Sequence, residues 1–179
     1  PSNRSSPGSL GARGRRLAFS AENYAIQVWD IEKNTFLGEL PSHLDAIIAL
    51  AFSPDGIHMA SGSDIGKIRV WEVLPSGEEK VIHNGHWEES AEDSSETRGY
   101  FIEDDGGFQK PMEFWIGAMT FTPDAKLLIT GSRDTTIRFF EMPHAAELRV
   151  LRGHTGWVRS LAVSPDGKRL VGVGRGGQI

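Results

Sequence analysis

The sequence predicts an all-β fold of repeated antiparallel meanders. Three observations carry this: a turn tetrapeptide that returns at fixed spacing, an aromatic marker that returns at the same spacing, and short apolar stretches between them. Ser53-Pro54-Asp55-Gly56, Thr122-Pro123-Asp124-Ala125 and Ser164-Pro165-Asp166-Gly167 lie 69 and 42 residues apart, while Trp29, Trp71 and Phe140 lie 42 and 69 apart. Two independent markers therefore give a unit of 42 residues and place an extra 27 in one of the units.

Each strand has a local cause. Ile47-Ile48-Ala49-Leu50-Ala51-Phe52 is a short apolar run. After a turn come His58-Met59-Ala60-Ser61, a second turn, and Ile68-Arg69-Val70-Trp71, which is meander order. The tetrapeptide is a type I turn by composition: Ser bonds at the first position, Pro presets φ at the second, Asp suits the third and Gly tolerates the fourth. Ala125 stands where the other two turns have Gly, which costs on the order of 1 kcal/mol if that position needs positive φ.

Composition bounds the function. The chain has 179 residues, 39% of them hydrophobic, enough for a folded soluble core, and no apolar run approaches the roughly 18 residues of a membrane span. It contains no cysteine, which excludes disulfides and thiolate metal sites and favours a reducing compartment, cytoplasm or nucleus. The net charge of −5 is concentrated in residues 84–110, where eight carboxylates face only Arg98 and Lys110. That 27-residue segment lies between Trp71 and Thr122 and accounts for the lengthened unit. Its aromatics Trp87, Tyr100, Phe101 and Phe108 suit either a solvated loop or a contact with a basic partner. The N-terminal residues Arg4, Arg13, Arg15 and Arg16 come without an acid and read as a solvated basic end in preference to a nucleic-acid contact.

The turn signals, the Trp29-Asp30 pair and Gly153-His154-Thr155-Gly156-Trp157 together resemble the WD40 repeat family, over about residues 15–83 and 112–179. The resemblance implies a WD40-type β-propeller fragment of four-stranded antiparallel blades. It divides the chain into a flexible basic segment (1–14), blade one (15–41), blade two (42–83), an acidic insertion (84–110), blade three (111–152) and a partial blade four (153–179). Strands are expected at 16–20, 25–29 and 35–40; at 46–52, 57–62, 67–71 and 79–83; at 114–121, 127–131, 136–140 and 147–151; and at 157–163 and 169–173. Arg4 to Leu10 is not expected to form a strand. So few strands do not close a ring, so further blades or self-association are expected to cover the open ends.

The resemblance also implies a buried hydrogen-bonded set of His, Ser or Thr, Asp and Trp in each blade. Blade two offers His43, Ser61 and Trp71 but has Ile65 at the Asp position. Blade three offers Thr130 and Asp134 with Met112 and Phe140 replacing His and Trp, and blade four offers His154. Removing one partner of a buried pair costs about 1–3 kcal/mol, so the joint replacement in blade three is coherent and the gap in blade two is less so. No histidine pair has ligand spacing, and no nucleophile elbow or phosphate loop occurs, so neither metal, cofactor nor catalysis is expected. Trp115, Trp157, Arg133, Arg159 and Arg175 fall on the face formed by the connections into each first strand and between second and third strands. They are the candidate partner-binding residues, with burial of the two Trp between blades as the alternative. The expected function is a non-enzymatic protein–protein interaction scaffold. The rival is the propeller portion of a larger enzyme or NTPase.

Overall fold

The computed structural model describes residues 8–10, 15–21, 24–40, 45–73, 79–85, 102–104, 107–109 and 115–175. The first sheet holds β1 (Gly8–Leu10), β2 (Arg16–Ser20), β3 (Ile26–Asp30) and β4 (Thr35–Leu40). The second holds β5 (Ile47–Phe52), β6 (His58–Ser63), β7 (Ile68–Val73) and β8 (Glu79–Gly85). A two-stranded hairpin of β9 (Ile102–Asp104) and β10 (Gly107–Gln109) follows within the insertion. The third sheet holds β11 (Ile116–Phe121), β12 (Leu127–Ser132), β13 (Ile137–Glu141) and β14 (Ala146–Leu151), and β15 (Val158–Val163) pairs with β16 (Leu170–Gly174). Every pairing is antiparallel and follows chain order, so each sheet is a meander blade.

Three observations correct the sequence reading. Gly8–Leu10 is a strand, paired Gly8↔Phe19, Ser9↔Ala18 and Leu10↔Leu17, so blade one has its inner strand and begins inside the stretch expected to be flexible. It escapes pattern recognition because backbone pairing and the Ser9 hydroxyl hold it: Oγ accepts from the Phe52 amide at 3.3 Å, tying blade one to blade two. The basic end is also partly committed to the fold, since Arg16 donates to the Val73 carbonyl at 3.3 Å and Arg15 pairs with Glu32 at 2.7 Å. Finally, β8 continues through Asn84 and Gly85, two residues into the expected insertion.

The blades pack face to face through apolar layers. Ala18, Ile26, Val28 and Leu40 meet Ile47, Leu50, Phe52, Met59, Trp71 and Val73 between blades one and two. Ala49, Ala51, Ala60, Ile68 and Val70 meet Ile116, Phe121, Leu128 and Ala145 between two and three. Ile129 and Ile137 meet Val158, Leu161 and Leu170 between three and four. Each sheet faces both ways because side chains alternate along a strand, Leu50 and Phe52 toward blade one and Ala49 and Ala51 toward blade three. The register shifts in each inner strand, between Ile47/Ala49, Ile116/Ala118 and Val158/Ser160. Ile48, Gly117 and Arg159 are the extra residues, repeat-equivalent bulges that bend each strand and re-aim a side chain. At Gly117 the neighbouring blade comes so close that a Cβ would sit 2.6 Å from the Val158 carbonyl oxygen.

The turn tetrapeptides behave as their composition demands. The fourth residue of each donates to the carbonyl of the first, at 2.9, 2.9 and 2.8 Å, and φ there is 76° at Gly56, 59° at Ala125 and 71° at Gly167. Ala125 therefore occupies a left-handed conformation.

Candidate interaction face

The site grows out of one repeat-equivalent backbone bond. In each of blades two, three and four, the first residue of the turn after the second strand donates its amide to the carbonyl just before the first strand. The pairs are Asp64 to Ala46, Arg133 to Trp115 and Arg175 to Trp157, each at 2.9 Å. The same backbone frame thus carries Asp and Ala in blade two but Arg and Trp in blades three and four. Gly156 makes the frame possible in blade four, because a Cβ there would fall on the Arg175 carbonyl.

Side chains then bridge the two blades. The Arg133 guanidinium lies 3.8 Å from the centroid of the Trp157 ring across the blade boundary and 5.7 Å from that of Trp115 in its own blade. The two indoles are 6.3 Å apart and tilted by 50°. Arg175 lies 5.6 Å from the Trp157 ring, and Arg159, placed by its bulge, lies 5.2 Å from it. All five residues singled out in the sequence meet around Trp157. Trp115, Trp157 and Arg133 are half-buried, while Arg159 and Arg175 are exposed. Guanidinium over indole at these distances contributes about 0.5–1 kcal/mol per exposed contact and more where water is excluded.

The residues assigned to the internal hydrogen-bonded sets come together only in part. Trp71 Nε1 donates to Ser61 Oγ at 3.1 Å with both side chains buried, and His43 lies outside the described residues. In blade three Phe140 offers no donor, so Thr130 Oγ1 is buried with no hydrogen bond among the described residues. Met112 lies outside the described residues, and on the Phe140 side the hydroxyl has lost its donor. Blade one has the inverse defect, with Phe19 ten residues before Trp29 and the Trp29 Nε1 buried without a hydrogen-bond partner among the described residues. Asp134 accepts from the Thr136 amide at 2.8 Å and hydroxyl at 2.7 Å, and it approaches Arg138 at 3.4 Å. His154 lies against Gly172, where a Cβ would come 3.1 Å from its Nε2.

Sequence reasoning missed Arg138. It is 8% exposed and pairs with Glu147 at 2.8 Å besides Asp134. Burial pushes its guanidinium below the ordinary arginine value, and the two carboxylates oppose that shift. The i,i+4 spacing of Asp134 and Arg138 was the available signal, although across a turn it carries no helical meaning. Among the described residues no three His, Asp or Glu side chains gather as a metal-ligand set, and no helix is long and apolar enough to cross a membrane.

Repeated four-stranded meanders stacked face to face define a β-propeller-type array, and comparison with known proteins gives the family. The family model "WD domain, G-beta repeat" matches residues 34–72, 110–141 and 145–179. The chain belongs to the WD40 repeat family. It is similar to "Nuclear distribution protein PAC1" of Arthroderma benhamiae, 29% identical over 171 residues, covering 93% of this chain and 35% of that protein. It is likewise similar to "Nuclear distribution protein nudF 1" of Talaromyces marneffei, 27% identical over 147 residues, covering 72% and 32%. A third relative is human "WD repeat and SOCS box-containing protein 1", 30% identical over 125 residues, covering 69% and 23%. The chain thus spans about a third or less of the length of these relatives.

Proposed function

We propose that the chain is a non-enzymatic protein–protein interaction scaffold that works inside the cell, in cytoplasm or nucleus, and docks partners on the face carrying Trp115, Trp157, Arg133, Arg159 and Arg175. The observation that supports this reading is the convergence of two Trp and three Arg at repeat-equivalent positions, with the Arg133 guanidinium 3.8 Å from the Trp157 ring centroid. Trp and Arg are the residues that most often anchor interfaces, because each combines a large flat contact area with directional polar contacts. Here they are pre-ordered by the blade backbone, which lowers the entropy lost on binding.

Affinity capture with quantitative mass spectrometry tests the proposal. Trp157→Ala alters the face, and Ile57→Ser alters an exposed residue on the hairpin at the opposite end of blade two. Circular dichroism melts confirm that both variants are folded. A reproducible set of partners lost with Trp157→Ala and kept with Ile57→Ser is the expected result. Equal retention by both variants, or co-purification of catalytic activity with the wild-type chain on a common substrate panel, contradicts it.

A further inference from the structure

We infer that the Trp157 platform receives a short acidic peptide segment, with Arg159 and Arg175 as the two groups that contact its carboxylates. This rests on the scaffold reading above and specifies its ligand. The two guanidinium groups are exposed, each is held against the Trp157 ring, at 5.2 and 5.6 Å from the centroid, and neither forms an ion pair among the described residues. They approach from different elements, the bulge of β15 and the turn after β16, so their positions are set independently. Arg133 is a positioning residue: half-buried between Trp115 and Trp157, it holds the platform ring and adds positive potential from below.

The surroundings select the ligand. On the same face, blade two carries Asp45 and Asp64, with Lys67 3.9 Å from Asp45, and blade three carries Asp134, which follows Arg133 in the chain and approaches Arg138 at 3.4 Å; the Asp45 and Asp134 side chains are largely buried. Among the described residues, basic and acidic side chains therefore alternate along this face and do not form a continuous basic stripe. A nucleic-acid backbone needs a continuous basic track, and it would be repelled as it crossed blades three and two. A peptide with a few Glu or Asp side chains places its charge at one end only, and its apolar side chains rest on the indole. Guanidinium groups suit carboxylates because their donors form a planar fork that matches the two oxygens.

Fluorescence anisotropy with the 179-residue chain tests this. The probes are a fluorescein-labelled ten-residue peptide with four Glu, its Gln counterpart, a phosphoserine counterpart and a ten-nucleotide single-stranded RNA. The Glu peptide is expected to bind and the Gln peptide not to. Raising NaCl from about 50 to 300 mM weakens binding about ten-fold, because exposed charge pairs are screened. Arg159→Gln with Arg175→Gln costs about ten-fold, each contributing about three-fold as an exposed charge contact. Lys168→Gln with Arg169→Gln removes the same charge from the opposite turns, and binding stays within about two-fold of wild type because β16 separates the two ends by about 15–20 Å, more than the Debye length of about 10 Å at 0.1 M salt. Equal losses from both double variants overturn the proposal, as does binding of the Gln peptide, or tighter binding of the phosphoserine peptide or the RNA. If the Glu peptide fails to bind while captured partners still depend on Trp157, the acidic ligand is wrong and the scaffold face stands. If both fail, the scaffold reading falls with it.

Discussion

Ser61 and Thr130 occupy the same place in successive blades, yet among the described residues only Ser61 has a hydrogen-bond donor, Trp71 Nε1 at 3.1 Å. A satisfied buried hydroxyl stabilises and an orphaned one costs its desolvation, so the two sites should respond with opposite sign. Ser61→Ala is expected to destabilise by about 1–3 kcal/mol, because it leaves the buried indole N–H without an acceptor. Thr130→Val keeps the shape, removes the orphan and is expected to stabilise by about 1 kcal/mol in urea unfolding. Loss of stability in both would show that Thr130 Oγ1 is satisfied in solution. Ala125 offers a second residue-scale prediction. Its φ of 59° is one that Gly adopts freely, so Ala125→Gly should raise stability by about 1 kcal/mol. At this scale the repeat equivalence of these positions was legible, because Trp115 and Trp157, like Arg133 and Arg175, stand 42 apart. Their contacts were not, since the stacking of Arg133 on Trp157 crosses a blade boundary that spacing does not describe.

At the scale of the element, the hairpins of blades three and four are closed by the same side-chain circuit. Thr122 and Ser164 donate their hydroxyls to Asp124 and Asp166, whose carboxylates also accept from the Lys126 and Lys168 amides at 3.1 Å. The hydroxyl bonds first, and the amides second, hold both carboxyls below 3.8. A carboxyl with a depressed folded value contributes stability that is fully present above its unfolded value and is lost as pH falls through the folded one. NMR titration should therefore place both midpoints below 3.8, and Thr122→Ala should move Asp124 up toward that value. A midpoint for Asp124 unchanged by the substitution would remove the hydroxyl as the cause. Strand positions were legible to within two residues, because pattern and turn chemistry agree. The bulges at Ile48, Gly117 and Arg159 were not, since a one-residue register shift follows from pairing between strands. The inner strand Gly8–Leu10 was missed because Gly and Ser carry no apolar pattern.

At the scale of the molecule, each blade covers the next with an apolar layer, and the outward face of β15 and β16 shows what that layer looks like uncovered. Val171 and Val173 are 46% and 45% exposed, whereas Ile129, the counterpart of Val171, is 1% exposed under blade four. Adjacent exposed β-branched side chains on a strand pair favour association. We expect the 179-residue chain to self-associate in light scattering, and Val171→Lys with Val173→Lys to reduce it. A monomer at all concentrations would show this face to be inert.

The claim that the Trp157-centred face is where partners dock is tested most directly by hydrogen–deuterium exchange on the chain alone and bound to a captured partner. The amides of Arg133 and Arg175, which bond to the Trp115 and Trp157 carbonyls, should slow on binding together with those of residues 157–159. Slowing confined to the Ser53, Thr122 and Ser164 hairpins at the opposite end, with the Arg133 and Arg175 amides unchanged, would contradict it.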